Sequence, residues 1–341
     1  MSATEYLIDA STRHQIMLQR LSGGAFNKLK PILEQLQKDV KARLRDNPTD
    51  FQMHRLTALS ADIQALFDEA NAEFGKQLNL ELNDFTKYEI DFQYRMLGNA
   101  VTTELTLPAI EQVVAATTKA KAILISGKEV KKLTISGLVK TLGTKPRIIE
   151  NRIRAGIIEG KSVDQMVRDI KRIADQVNKR DARTIVRTAF NLAGSEARKA
   201  VVSANADIIT GEKWISTLDG RTSDVCMGRD GKVYDVGAAP FPPAHMNCRS
   251  LRVPVVDPKY AIPGVKGLRS SRNPDGSVEQ VAGETTYNSW LKRQPSDFQD
   301  EVLGVERAKL FRGGMNVDKF TDDEGRTLTL EQLKTLDSIT L

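Results

Sequence analysis

The first 100 residues constrain the fold most strongly, because their apolar side chains recur at helical spacing. Apolar residues return every three or four positions in one stretch, at Leu29, Leu33, Leu36 and Val40. Gly23-Gly24 is expected to separate a first helix from a second. Asn47-Pro48 is expected to close that second helix, since the residue before a proline disfavours helical geometry. Long helices with few glycines predict an elongated bundle in this part of the chain.

The composition of the sequence changes after the helical region. Beyond Val201, glycine, proline and turn residues become dense, and the segments EKWIST and KVYDV read as β-strands. We therefore expect a helical N-terminal domain over 1–155, a hairpin-rich module over 156–255 and a loop-rich arm with C-terminal helices over 256–341. The predicted fold class is mainly α with a smaller α+β module, preceded by an elongated helical N-terminal domain and followed by an extended C-terminal arm.

Bulk composition fits a folded protein made and kept in a cytosol-like compartment. Hydrophobic residues make up 40% of the 341 residues and charged residues 28%, which are ordinary globular values. There is no run of about 18 apolar residues to span a membrane, and the N-terminal residues carry charges where a secretion signal needs an apolar core. In a reducing compartment the only two cysteines, Cys226 and Cys248, are expected to be thiols or metal ligands rather than a disulfide.

The most basic stretch of the chain lies between Lys119 and Arg154. It holds ten Lys or Arg residues and only two acidic residues, Glu129 and Glu150. One interpretation is a surface that contacts nucleic-acid phosphates, which requires positive charge and no special geometry. The other is a solvated helix face. The candidates for DNA contact are Lys119, Lys121, Lys131, Lys132, Lys145, Arg147, Arg152 and Arg154.

The segment from Trp214 to Leu251 carries the most specific chemistry in the sequence. Asp219-Gly220 and Asp230-Gly231 are turn signals of the kind that close hairpins. Three residues of metal-ligand type follow in this region of short strands and turns: Cys226, His245 and Cys248. Trp214 is expected to be a core anchor, and Arg249 is expected to pair with either Asp219 or Asp224.

This segment resembles the phage head-morphogenesis family, often called MuF-like minor head proteins. The resemblance rests on W-x-x-x-x-D-x-R-T, a cysteine, D-G and then P-P-x-H-x-N-C-R, together with the Ala-rich helix that precedes them. It covers roughly residues 150–255. The P-P-x-H-x-N-C-R string is fairly specific, because proline pairs, histidine and cysteine are individually infrequent. The residues expected to hold the module together are Trp214, Asp219, Arg221, Asp230, Gly231, Asn247 and Arg249.

The resemblance implies a minor capsid protein that acts in assembly and has no catalytic turnover. Such proteins lie inside the procapsid at the portal vertex, and they remain with or leave with the packaged DNA. The implied partners are the portal protein, the major capsid or scaffold protein and double-stranded DNA, with no membrane in the assembled head. The implied location is the interior of the virion, after synthesis in the host cytoplasm.

The resemblance also raises the question of a zinc site. Many members carry C-x-x-C early in the segment and C-R-C at its end, which with the histidine could form a tetrahedral site. Here Arg229 and Ser250 occupy two of those cysteine positions. Cys226, His245 and Cys248 remain, with Asp224 or Asp230 as a conceivable fourth ligand. We favour buried framework residues and no cofactor, with zinc as the alternative.

Two enzymatic alternatives stay open. His245 and Asn247 would fit a metal-dependent nuclease, although such chemistry needs further ligands and the chain has only three histidines. A toxin-type effector carried in the phage head is the other alternative. About 85 residues follow the module, and they contain no recognisable catalytic constellation.

Overall fold

The computed structural model describes residues 3–45, 53–144, 151–152, 154–156, 158–161, 163–263 and 267–340. The predicted helix end at Asn47-Pro48 and the DNA-contact candidates Lys145 and Arg147 lie outside these residues. The protein is 61% helical with a few small antiparallel sheets, which confirms the mainly α fold class with a smaller α+β module. In the described part of the chain, no helix is long and apolar enough to cross a membrane.

Helices dominate the first two thirds of the chain. They are α1 (Ala3–Arg45), α2 (Met53–Gly98), α3 (Ile110–Lys119), α4 (Ile135–Lys140) and α5 (Val163–Ala204), with the hairpin β1 (Lys121–Ser126) and β2 (Glu129–Thr134) before α4. Short elements follow: β3 (Ile209–Ile215), α6 (Asp224–Arg229), β4 (Val233–Tyr234), β5 (Leu251–Val256), β6 (Leu268–Arg272), β7 (Val278–Ala282), α7 (Tyr287–Lys292), α8 (Ser296–Leu303), α9 (Val305–Arg312) and α10 (Leu330–Thr340).

The chain forms two compact units, each discontinuous in sequence. Unit 1 comprises Met1–Leu18, Phe85–Lys132 and Asn191–Leu341, and unit 2 comprises Gln19–Asp84 and Leu133–Phe190. Unit 2 is helical, and it buries the apolar positions that the spacing predicted: Leu29, Leu33, Leu36 and Val40.

The predicted helix break at Gly23-Gly24 is wrong, because α1 continues through both residues. A glycine in a helix interior costs only about 1 kcal/mol relative to alanine. The next turn buries Ala25, Phe26 and Leu29. Burial of a large apolar side chain such as Phe26 contributes about 1.5–3 kcal/mol, which offsets that cost.

Unit 1 contains a three-stranded antiparallel sheet in the order β4-β3-β5. Trp214 of β3 pairs with Arg252 of β5, and Glu212 pairs with both Pro254 and Tyr234 on its two sides. One apolar cluster joins this sheet to the end of α5, with Ile215, Leu251 and Val253 packed near Val201 and Val202. The sheet thereby fixes the segment from Trp214 onward.

The C-terminal residues are more compact than an extended arm. The short helices α7 to α10 bury one cluster whose largest members are Tyr287, Trp290, Phe311 and Phe320. Leu218 and Met227, which belong to the preceding module, are part of the same cluster. The apolar residues among the glycines and prolines of 256–341 therefore build a core together with the module.

Candidate functional site

Trp214 anchors the centre of the site, as predicted. Its side chain is fully buried, and its indole Nε1 donates to Ser216 Oγ at 3.0 Å. Ser216 Oγ in turn donates to the Cys226 carbonyl at 2.7 Å, which ties β3 to α6. The Arg229 guanidinium lies 5.3 Å from the centre of the Trp214 ring. The hydrogen bonds that run from Trp214 through Ser216 therefore hold the Cys226 backbone in place.

Asp219 is the partner of Arg249, which resolves the alternatives that the sequence left open. The two groups form a two-pronged ion pair with N–O distances of 2.5 and 2.8 Å. Asp219 also accepts the Arg221 backbone N–H at 3.1 Å. Burial alone would raise the pKa of the Asp219 carboxyl, but its bonds and charge interaction with Arg249 outweigh burial and lower that pKa. Asp224 pairs instead with Arg307, at 2.9 Å.

Asp230 organises the turn that the D-G signal predicted. Its carboxylate accepts the Ser216 backbone N–H at 2.6 Å and the Tyr287 backbone N–H at 2.6 Å. It also forms a buried ion pair with Arg269, at 2.6 and 3.0 Å. Gly231 follows with φ of +83°, and a Cβ there would lie 2.9 Å from Thr286 Cγ2. Asp230 thus joins three separate segments of unit 1.

Cys226, His245 and Cys248, the residues of metal-ligand type in the sequence, lie close together. The two sulfur atoms are 3.7 Å apart, and the ligand-type atoms of all three residues lie within 4.8 Å of one another. Both cysteines are buried, whereas His245 is half-buried. His245 Nδ1 donates to the Met246 carbonyl at 2.9 Å, which leaves Nε2 as the nitrogen with an available lone pair.

The pKa values of the two thiols are shifted in opposite directions. Burial raises the pKa of Cys226 well above its usual value, and the neighbouring Cys248 raises it further. Burial also opposes ionisation of Cys248. However, the hydrogen bond from Cys226 and the charge and hydrogen bond of His245 lower the pKa of Cys248 well below its usual value. His245 responds in the opposite sense: burial lowers its pKa, but Cys248 outweighs burial and raises it.

The three donors fit part of a zinc site. A tetrahedron with Zn–S bonds of about 2.3 Å has an S–S edge of about 3.8 Å, close to the observed 3.7 Å. The fourth corner is not supplied by the predicted carboxylates, because Asp224 is bound to Arg307 and Asp230 to Arg269. Ser250 donates its hydroxyl to Ser216 Oγ, and Arg229 donates to the Glu324 carbonyl.

The remaining motif residues lie at the surface of this cluster. Arg221 is exposed and touches Asp219 at 3.4 Å. Asn247 is also exposed and has φ of +59°, a left-handed conformation that asparagine adopts more readily than most residues. Asn191 of α5 donates to the Cys248 carbonyl at 2.6 Å. The helix that precedes the motif therefore holds the segment around Asn247 and Cys248.

The DNA-contact candidates that are described fall into both units. Lys119, Lys121, Lys131 and Lys132 belong to unit 1, at the end of α3 and on the β1–β2 hairpin, and all four are exposed. Arg152 and Arg154 belong to unit 2, where Arg152 is half-buried and Arg154 is exposed. The exposed Lys128 at the hairpin turn was not among the candidates.

Sequence reasoning missed two buried arginines. Arg269 is 1% exposed and bonds Asp230. Arg252 is also 1% exposed; it forms an ion pair with Glu212 at 3.3 Å and lies over the rings of Tyr234 and Phe241. In a sequence an isolated arginine is usually a solvated charge, so neither position carried a signal.

Part of the chain is similar to a known protein family. Residues 147–252, about a third of the chain, match the model of the family described as Phage Mu protein F like protein. No curated protein and no solved structure matches the chain. The matched family points to a role in phage head morphogenesis. Over residues 147–252, this match supports the resemblance to the MuF-like head-morphogenesis family that the sequence predicted.

Proposed function

We propose that this protein is a minor capsid protein of a tailed phage that acts inside the procapsid at the portal vertex. The family match over residues 147–252 is the observation that carries the proposal. Its partners would be the portal protein and the major capsid or scaffold protein. In this setting the module supplies a rigid body for assembly.

The chemistry of the module supports a structural part. Asp219 and Asp230 are both engaged in ion pairs with arginine and in bonds to backbone N–H groups. Carboxylates committed in this way hold loops in place. His245 lies with two sulfur donors, and this group contains no carboxylate. Nuclease metals of the magnesium class prefer oxygen ligands, so this set is poorly suited to them.

The localisation test uses particles and procapsids of the phage that encodes the protein. The protein should be present in purified particles at low copy number, and crosslinking followed by mass spectrometry should join it to the portal protein. Recovery only from infected-cell extract, with none in particles, would exclude a virion protein. Crosslinks to the capsid shell alone would exclude the portal vertex.

We propose further that the exposed lysines of unit 1 contact packaged DNA. Lys119, Lys121, Lys131 and Lys132 lie in one short stretch of chain. Within the described residues, Lys131 alone among them has an acidic partner, Glu129 at 3.1 Å. A surface that binds phosphates needs this kind of accessible charge and no base contacts. Strand β1 of the hairpin is bonded to the module, because the Ile125 N–H donates to the Ala244 carbonyl at 2.7 Å.

The DNA test compares two variants that each lose four lysine charges. One replaces Lys119, Lys121, Lys131 and Lys132 with glutamine. The control replaces four exposed lysines of the C-terminal helices and their connections, namely Lys292, Lys309, Lys319 and Lys334. Binding to a short duplex is measured by fluorescence anisotropy over a range of salt concentrations.

Each phosphate contact steepens the plot of log affinity against log salt by about 0.9. The hairpin variant should therefore lose about 3–4 from the slope, whereas the control variant should keep most of it. Equal losses in the two variants would show a nonspecific charge effect. Affinity that does not change with salt would refute phosphate contact altogether.

A further inference from the structure

The two cysteines lie in a position to bond to each other. Their sulfur atoms are 3.7 Å apart, and a disulfide bond is about 2.05 Å long, so closure requires an approach of less than about 2 Å. Cys226 lies on the short helix α6, and Cys248 lies three residues before β5. We propose that Cys226 and Cys248 are a reversible redox pair, a dithiol in reducing surroundings and a disulfide after reaction with a peroxide.

The surroundings favour a sulfur pair over a metal. Among the described residues, three candidate ligand atoms converge here, one fewer than a structural zinc site needs. Ser250, which follows Cys248 by two residues, offers a hydroxyl where a third thiolate would be needed, and it bonds Ser216.

The half-buried His245 provides the approach for a small oxidant. Its ligand-type nitrogen lies within 4.8 Å of both sulfur atoms, so the imidazole can accept the Cys248 proton and leave the thiolate, which is the nucleophile. Cys226 is held against it by the contact between the two sulfurs. A second thiol at this distance intercepts an oxidised cysteine before further oxidation.

The reaction has two steps. The Cys248 thiolate attacks one oxygen of hydrogen peroxide and the O–O bond breaks, giving a sulfenic acid and a hydroxide ion that takes the Cys226 proton to become water. The Cys226 thiolate then attacks the Cys248 sulfur, the S–S bond forms and the S–O bond breaks. The departing hydroxide takes the proton that Cys248 first released to His245. Two thiols are oxidised to one disulfide, and peroxide is reduced to two waters.

The bond would fasten α6 to the segment before β5. At present these parts are joined through Ser216, whose hydroxyl donates to the Cys226 carbonyl at 2.7 Å and accepts from the Ser250 hydroxyl at 3.1 Å. A crosslink restricts the unfolded chain and so stabilises the folded one. Oxidation would therefore raise the stability of the folded module.

The test counts thiols in the full-length protein before and after exposure to hydrogen peroxide. The chain has only two cysteines, so alkylation with a maleimide under denaturing conditions gives an unambiguous count. We expect two labels before treatment, none after it, and two again after reduction with dithiothreitol. The oxidised chain should remain a monomer on a non-reducing gel, weigh two hydrogens less and melt at a higher temperature.

Single variants separate the pair from general oxidation. Cys226→Ser should leave Cys248 to stop at a sulfenic acid that dimedone traps, whereas wild-type protein should give little dimedone adduct. Since either variant could misfold, the wild-type count decides the proposal by itself. Two labels after peroxide, crosslinked dimers in place of the monomer, or stoichiometric zinc that shields both thiols from peroxide would each overturn it.

Discussion

Replacement of Asp230 by alanine should destabilise unit 1 more than any other single carboxylate change in the module. Its carboxylate lies in the interior and has three sets of partners: the Arg269 guanidinium, the Ser216 N–H and the Tyr287 N–H. Asp230→Ala removes all of these bonds at once. It leaves Arg269 buried, charged and without its carboxylate.

The magnitude follows from those partners. Loss of one member of a buried ion pair costs about 3–5 kcal/mol, because the remaining charge is uncompensated. Each buried N–H that loses its acceptor adds about 1–3 kcal/mol, although the two effects overlap. We therefore expect a loss of about 5 kcal/mol or more, which is a large share of the 5–15 kcal/mol that typically separates folded from unfolded states.

The assay is urea unfolding followed by tryptophan fluorescence. Trp214 and Trp290 are the only tryptophans, both are fully buried and both belong to unit 1. With a urea slope of about 2–3 kcal/mol per M, the midpoint should fall by about 2 M. The control is Asp300→Ala, which breaks a partly exposed pair with Arg312 and should cost at most about 1 kcal/mol.

Two outcomes would refute this reasoning. If Asp230→Ala and Asp300→Ala shift the midpoint equally, the buried network contributes no more than a surface pair. The second outcome concerns the double variant that also carries Arg269→Ala. It should cost less than the sum of the two single changes, because it removes the orphaned charge. Strict additivity would mean that Asp230 and Arg269 are not coupled.

Two further predictions concern the same module. The pKa of Asp219 is lowered below its usual 3.8, so the stability that its ion pair contributes is present above pH 3.8 and is lost as the pH falls through the lowered pKa. In an acid titration, the difference in stability between wild type and Asp219→Asn should therefore shrink below pH 3.8. A difference that stays constant with pH would contradict this prediction. Gly231→Ala should lower the urea midpoint, because φ is +83° and the new Cβ would meet Thr286 at 2.9 Å, whereas Gly237→Ala, also at positive φ but with open space, should cost less.

The sequence predicted those features that depend on local pattern. Helical spacing located the buried face of α1. Thr329 and Gln332 form a T-x-x-Q pattern, which predicts a helix cap, and in the structure they cap the last helix with hydrogen bonds of 2.9 and 3.3 Å. Strand alternation found β3 around Trp214. The sequence also marked Cys226, His245 and Cys248 as residues of metal-ligand type, and the structure places their ligand atoms within 4.8 Å of one another.

Features that depend on distant partners were not predictable. Ser296 and Gln299 form an S-x-x-Q pattern, which predicts one capped helix from Ser296 to about Arg312. Instead Pro295 occupies the cap position, and Gly304, with φ of +78°, divides the helix into α8 and α9. Gln299 turns its amide to the Leu291 and Gln294 carbonyls instead. Carbonyls a few residues earlier in the chain need a donor, and they take the Gln299 amide away from the cap.

The ends of the family match are not the ends of the packed core that supports it. The match stops at residue 252, inside β5, yet Asp230 within it is held by Arg269 and Tyr287 beyond it. The Trp214 cluster also takes in Ile125, which precedes the match. The motif residues therefore identify the family without enclosing a self-sufficient core. Changes at Arg269, far along the chain from every cysteine and histidine of the motif, should act on the module as directly as changes within it.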